Sequence, residues 1–260
     1  MDPAGPDSVL LGVFGASSGR LEHWSPEHIA VLGLTCVGAV LLVWWGRRTA
    51  GMAAAKSTSR VLAMLLLVVT VAFQVYWLLP ARFELEKSLP LHFSDVLRVI
   101  VIYALWTRRP WAVAVTFYWG LTLNIQPMLT PDVNPAEGSY LVEFASFWAP
   151  HVLVMWAPLF LLAGFSMRPT WRGYVVTLAI TVLWAAVAFG ANLLLGTNYG
   201  YLNAKPPGAS LLDVLGPWPV YLLVELLAVI VVWALLTAAF RDRGRGRAAS
   251  GRATAEPQAD

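Results

Sequence analysis

Residues 217–240 read PWPVYLLVELLAVIVVWALLTAAF, and Glu225 is the one charged residue among them. An apolar run of about 18 or more residues is long enough to cross the hydrocarbon core of a bilayer as a helix. Six more such runs lie upstream, at approximately Ile29–Trp45, Val61–Leu79, Leu89–Trp106, Trp111–Leu129, Phe147–Phe165 and Tyr174–Leu195. A spanning segment must satisfy its own backbone polar groups, and these runs lack the alternation of barrel strands. The expected fold is therefore an all-α polytopic membrane protein with seven transmembrane helices, here taken from Pro217–Phe240 back to Ile29–Trp45.

The composition agrees. Of 260 residues, 58% are apolar and 13% charged, where soluble domains carry roughly 25% charged residues. Thirteen of the 18 Lys and Arg fall in alternate connecting segments: Arg47, Arg48, Lys56 and Arg60; Arg108 and Arg109; Arg168 and Arg172; then Arg241, Arg243, Arg245, Arg247 and Arg252. Only Arg20, Arg82, Lys87 and Lys205 fall in the other connections. Positive loops are retained in the cytoplasm, so this asymmetry puts the N-terminus outside the cell membrane and the C-terminus inside. It also accounts for the basic pI near 9.2 without nucleic acid as a partner. The basic cluster RRTAGMAAAK at 47–56 follows the first apolar run, where a cleavable signal peptide would carry its charge before it.

Three regions follow: an extracytoplasmic segment 1–28, a seven-helix domain 29–240, and a disordered basic tail 241–260 close to anionic lipid. Cys36 has no partner, so its expected role is packing, and disulfides and cysteine-based metal sites are excluded. HExxH and Cys-pair spacings are missing, so no metal and no cofactor is expected. Membrane lipids are the expected partners. No repeat of span-pair length is evident, which speaks against an inverted-repeat transporter.

Polar side chains inside spans are costly unless they are paired or face a cavity, so their positions carry the functional information. With the orientation above, Gln74, His92, Ser94, Asp95, Asn124, Gln126, His151, Asn192 and Glu225 all fall in the outer halves of their spans. The inner halves read VVTVA, VIYALW, AVAVTF, LFLLAG and VVWALL. A polar chamber in the outer half of the bundle is the expected arrangement.

The stretch LPLHFSDVLRV at 89–99 sets His92, Asp95 and Arg98 three residues apart, so successive members are neighbours on one helix. Arg98 is too deep for a bare charge, and either Asp95 or Glu225 should pair with it. The triplet reads equally as an interhelical ion-pair network or as part of a chemical site. Asn124 and Gln126 suit interhelical hydrogen bonds, and Pro158 should kink the fifth span. Trp at the span ends, such as Trp44, Trp45, Trp77, Trp106, Trp111 and Trp218, suit an aromatic belt. The connection GTNYGYLNAKPPGASLLD at 196–213 is either a lid whose Lys205 meets a lipid phosphate or a surface loop held by Asn198 and Asp213.

The strings LPLHFSD at 89–95, LTPD at 129–132, RPTWRGY at 168–174 and NLLLGTNYGYLNAKPPGASLLDVLGPWPVY at 192–221 resemble the YwaF-type family of bacterial integral membrane proteins. The resemblance covers most of residues 60–240. That family looks related to a eukaryotic transmembrane acyltransferase that uses a cysteine and a histidine to move acyl chains between phospholipids. More remotely it is similar to androgen-induced-type lipid hydrolases that use a threonine and a histidine.

The resemblance implies that His151 matches the histidine of the fifth span and that the nucleophile lies in LPLHFSD. Ser94 stands where many family members have cysteine, which closes the thioester route. A serine needs a base within hydrogen-bond reach. His92 is two residues away on the same helix and points elsewhere, which leaves His151. The implied function is a lipid acyl transferase or hydrolase with Ser94 as nucleophile, His151 as base and Asp95 as an orienting group. His92, Asn124, Gln126, Asn192, Tyr199, Lys205 and Glu225 would bind substrate. A non-catalytic lipid or solute binding or transport protein, and a membrane scaffold, are the alternatives.

Overall fold

Ser25 and Pro26 start the first helix: the Ser25 hydroxyl accepts the His28 amide, and proline occupies a position whose N–H has no helical partner. In the computed structural model, which describes residues 21–133, 140–206, 208 and 210–253 without the side chains of 241–253, this helix, α1, runs Pro26–Thr49. It is followed by α2 (Ala53–Leu78), the single turn α3 (Leu85–Ser88) and α4 (Phe93–Thr107). Next come α5 (Pro110–Tyr118), a π-helical turn (Trp119–Leu123) and α6 (Ile125–Leu129). The chain ends with α7 (Tyr140–Phe165), α8 (Trp171–Leu195) and α9 (Val220–Ala253), the last two joined through 3-10 turns at Tyr199–Tyr201 and Leu211–Leu215. Helix α9 continues past Phe240 to Ala253 in spite of Gly244, Gly246 and Gly251, which disfavour helix, and residues 254–260 lie outside the described residues.

Six helices are long and apolar enough to cross a membrane: Pro26–Thr49, Ala53–Leu78, Leu85–Thr107, Tyr140–Phe165, Trp171–Leu195 and Val220–Phe240. The run expected as a seventh, Trp111–Leu129, is helical but broken into α5, the π turn and α6. A physical reason lies opposite the break. Pro158 lacks the N–H that would bind the Val154 carbonyl. A Cβ on Gly120 would stand 3.2 Å from that oxygen and 3.4 Å from the Pro158 ring. The backbone of α7 at Pro158 therefore approaches the π turn at its glycine. Asn124 N–H closes the turn onto the Trp119 carbonyl at 2.9 Å.

This broken segment is the centre of the bundle, with every residue from Ala112 to Gly120 buried. α4 and α8 flank α5, α2 packs on α4 and α7, and α1 lies along α7. The α1–α7 contact uses small residues, since a Cβ on Gly46 would meet the Ala163 Cβ at 3.0 Å and the Gly164 amide at 3.1 Å. Polar side chains tie the helices across the interior: Ser59 to the Leu105 carbonyl at 2.5 Å, Tyr118 with Thr237 at 2.6 Å, and Trp119 to Thr181 at 2.9 Å.

One sequence expectation changes. Cys36 is exposed on α1 rather than packed, because α1 turns only the side bearing Thr35, Ala39 and Gly46 inward. Trp119, Trp148 and Trp233 are buried core residues, while Trp44, Trp45, Trp106, Trp111 and Trp218 are exposed as a belt requires.

The short connections make neighbouring helices antiparallel, so the bundle has two distinct ends. Arg47, Arg48, Lys56, Arg60, Arg108, Arg109, Arg168 and Arg172 gather at one of them, where segments 46–60, 107–110 and 165–172 contain no Asp or Glu. The polar residues singled out from the sequence lie toward the other, the His92 end.

Candidate functional site

The start of α4 organises the His92 end. The His92 amide donates to Asp95 Oδ2 at 3.1 Å, which caps the helix, and Asp95 Oδ1 receives an Arg98 guanidinium nitrogen at 2.6 Å. Arg98 Nε donates to the Ser94 carbonyl at 3.2 Å, and its terminal nitrogen lies 3.5 Å from Ser94 Oγ. Of the two partners expected for Arg98, the fold uses Asp95.

The His92 ring is held from above. Its Nδ1 faces the Gly200 amide at 3.5 Å, Tyr199 meets it edge-on at 5.2 Å and Tyr201 lies 6.0 Å away. Gly200 has a φ of +67°, and a side chain there would run into Trp184, so glycine alone allows this approach. Burial pushes the Tyr199 and Tyr201 phenols above the usual tyrosine range.

Asn192 fixes the loop that makes these contacts. Its Nδ2 donates to the Tyr199 carbonyl at 3.1 Å and to Asn203 at 2.9 Å, while its Oδ1 accepts from the Tyr199 amide at 2.7 Å and Thr197 at 3.0 Å. The Tyr199 hydroxyl donates to the Leu85 carbonyl at 2.5 Å, and the Tyr221 hydroxyl to the Tyr201 carbonyl. Further out, Asn198 accepts from the Asn203 and Ala204 amides at 3.0 and 3.2 Å. The Ser210 amide donates to Asp213 at 2.8 Å, and Lys205 reaches Asp213 at 3.5 Å. The Ser210 amide and then Lys205 hold the Asp213 carboxyl below the ordinary carboxylate range. Asn192, Tyr199 and Lys205 are thus engaged in folding the loop.

His151 enters from α7. Its Nδ1 lies 2.5 Å from the Phe147 carbonyl, and its ring stacks on Phe147 at 4.4 Å. A carbonyl only accepts, so Nδ1 carries the proton, and in the neutral imidazole Nε2 keeps its lone pair. Asn124 is buried and donates to the His151 carbonyl at 3.0 Å, tying α7 to the π turn beside it.

One cavity of about 1370 Å³ connects these elements. His92, Ser94, Asp95, Arg98, Gln126, His151 and Glu225 all line it; Asn124, Asn192, Tyr199 and Lys205 do not. Apolar wall is contributed by Phe93, Phe147, Trp184, Leu223 and Leu226. Sequence reasoning missed His23, Asp132 and Glu143, which also line it. Their signal was weak, since each sits in a connection or at a helix start where a charge is ordinary. His23 is placed by a 3.2 Å contact between its Nε2 and the Pro131 carbonyl. Beside it, the buried His28 holds α1 to α6 through the Met128 carbonyl at 2.9 Å.

The cavity thus combines apolar walls with a polar arc on α4 and α7. It exceeds the roughly 300–1,000 Å³ of pockets for drug-sized ligands. No curated protein and no solved structure matches the chain. A family profile does match, over residues 23–237, which takes in every helix that lines the cavity. Its description differs from the YwaF-type resemblance, and the extent of the match decides the matter: the chain belongs to the TMEM164 family.

Proposed function

We propose that the protein acts on membrane lipid in this cavity, transferring or hydrolysing acyl chains with Ser94 as nucleophile and His151 as general base. The observation that carries the reading is the anchoring of His151: Nδ1 is engaged by the Phe147 carbonyl, which leaves Nε2 as the proton acceptor in a cavity that Ser94 also lines. Ser94 Oγ attacks the ester carbonyl carbon while His151 Nε2 takes its proton. The lipid alkoxide then leaves with that proton, and the acyl group stays on Ser94. A second lipid hydroxyl, or water, gives its proton to His151, attacks the acyl-serine and regenerates the hydroxyl.

Arg98, beside Ser94, supplies positive charge for the oxyanion, and Asp95 holds Arg98 in place. His92, Gln126 and Glu225 line the headgroup region. Toward the Arg108 end the interior is closed by Ala104, Leu105, Phe117, Tyr118 and Phe160, all buried, which favours a blind lipid site over a transport path.

In this reading the α5–π–α6 segment is the fourth of seven crossings and the basic Arg108 end is cytoplasmic. The cavity then serves the outer leaflet of the cell membrane. Comparing the lipids of a deletion strain with those of strains restored by the wild-type or His151→Ala protein tests the function. The His151→Ala strain should keep the deletion profile; a wild-type profile in that strain contradicts the proposal.

A further inference from the structure

A single hydrogen bond joins α8 and α9 among the described residues. Toward the Arg108 end the Tyr174 hydroxyl donates to the Ile230 carbonyl at 3.2 Å. Toward the His92 end no hydrogen bond joins the two helices among the described residues, and their facing side chains line the cavity instead: Val182, Ala185 and Phe189 from α8, Leu223 and Leu226 from α9. Four of these are well exposed for cavity-lining residues, with Val182 57%, Phe189 39%, Leu223 61% and Leu226 39% exposed. Val182 stands near the middle of α8 and not at its end, and exposure of this size on a cavity-lining residue there is what a sideways opening of the cavity leaves.

We infer that the gap between α8 and α9 is a lateral portal through which one acyl chain of a bilayer lipid passes into the cavity. The inference rests on the reading that the cavity takes lipid, but not on the chemistry assigned to Ser94 and His151. The edges of the gap are aliphatic and aromatic, which matches hydrocarbon. Glu225, half-buried on the same wall with no hydrogen bond or ion pair among the described residues, is unsuited to a purely apolar occupant and suits the polar part of an amphiphile. Phe93 and Trp184, packed at 5.4 Å behind the portal, would meet the chain once it is inside. Bilayer lipid already surrounds the faces of α8 and α9, so the occupant is at hand.

The test uses the full chain reconstituted in phosphatidylcholine vesicles that contain a trace of phosphatidylcholine with a terminal diazirine on one acyl chain. Adducts formed on illumination are mapped by mass spectrometry. The outer residues Leu183 and Val187 are labelled in any arrangement and serve as the internal standard for folding and insertion. The portal predicts additional adducts on the interior residues Phe93 and Trp184. Ala185→Trp and Ala186→Trp, which fill the gap, should each lower the interior adducts several-fold while the outer adducts stay at the wild-type level. Interior adducts should persist in Ser94→Ala and His151→Ala proteins, so the portal stands even where acyl chemistry at those residues fails. Wild-type protein labelled only on its outer residues overturns the portal, as do interior adducts undiminished in both tryptophan variants. A second polypeptide labelled in place of the interior residues would mean that the gap holds a partner helix, and would likewise overturn it.

Discussion

The Arg98 guanidinium lies 2.6 Å from the Asp95 carboxylate one turn inside α4, and the two side chains are only 16% and 14% exposed. Each charge therefore depends on the other for compensation. Replacing either with alanine strands its partner, at a cost of about 3 kcal/mol. The Asp95→Ala, Arg98→Ala double variant should lose clearly less than the sum of the two singles in a detergent unfolding assay. Additive losses would show that the two side chains depend on different partners.

The orientation gives a labelling pattern. In a Cys36→Ser background, cysteines at Met52 and Thr170 should be shielded from an impermeant thiol reagent added to intact cells, while cysteines at Ala81 and Ala204 react. All four positions are exposed, so burial does not confuse the outcome. The reverse pattern would place the cavity mouth in the cytoplasm.

Asn192 predicts the behaviour of the loop. Asn192→Ala removes four hydrogen bonds and leaves the Tyr199 amide and carbonyl unsatisfied, each at about 1–3 kcal/mol. Protease cleavage within 197–215 should rise sharply while α1–α7 stay resistant. Unchanged cleavage would mean that the loop is held from elsewhere.

Asp213 predicts a pH dependence. Its folded carboxyl is held below the ordinary value of 3.8, so its contribution is fully present above that value and is lost as pH falls through the folded one. Loop cleavage by an acid protease should increase over that acidic window. In Asp213→Asn protein the step should vanish; its persistence would assign the titration to another group.

The spans and the α4 pair were legible because hydropathy and a three-residue spacing are local. The long apolar runs became helices, and Asp95 took Arg98 because both stand on one face of α4. The break at Trp119–Leu123 was not legible, since it depends on Gly120 meeting a carbonyl that Pro158 frees on another helix. Asn192 misled for a related reason. An amide near a span end reads as a cavity group, yet its partners are backbone atoms of a loop whose path the sequence does not give. His23 and Asp132, in ordinary connecting segments, and Glu143, in the first turn of α7, reach the cavity through tertiary placement.

The most direct measurement is turnover of a phospholipid with an isotope-labelled acyl chain by the purified protein in vesicles, followed as labelled fatty acid or labelled acceptor lipid. The account predicts turnover by the wild-type protein and a loss of about a hundredfold to ten-thousandfold in His151→Ala, with a comparable loss in Ser94→Ala and both variants still inserted and folded. Absence of turnover by the wild-type protein, or full turnover by either variant, would contradict it.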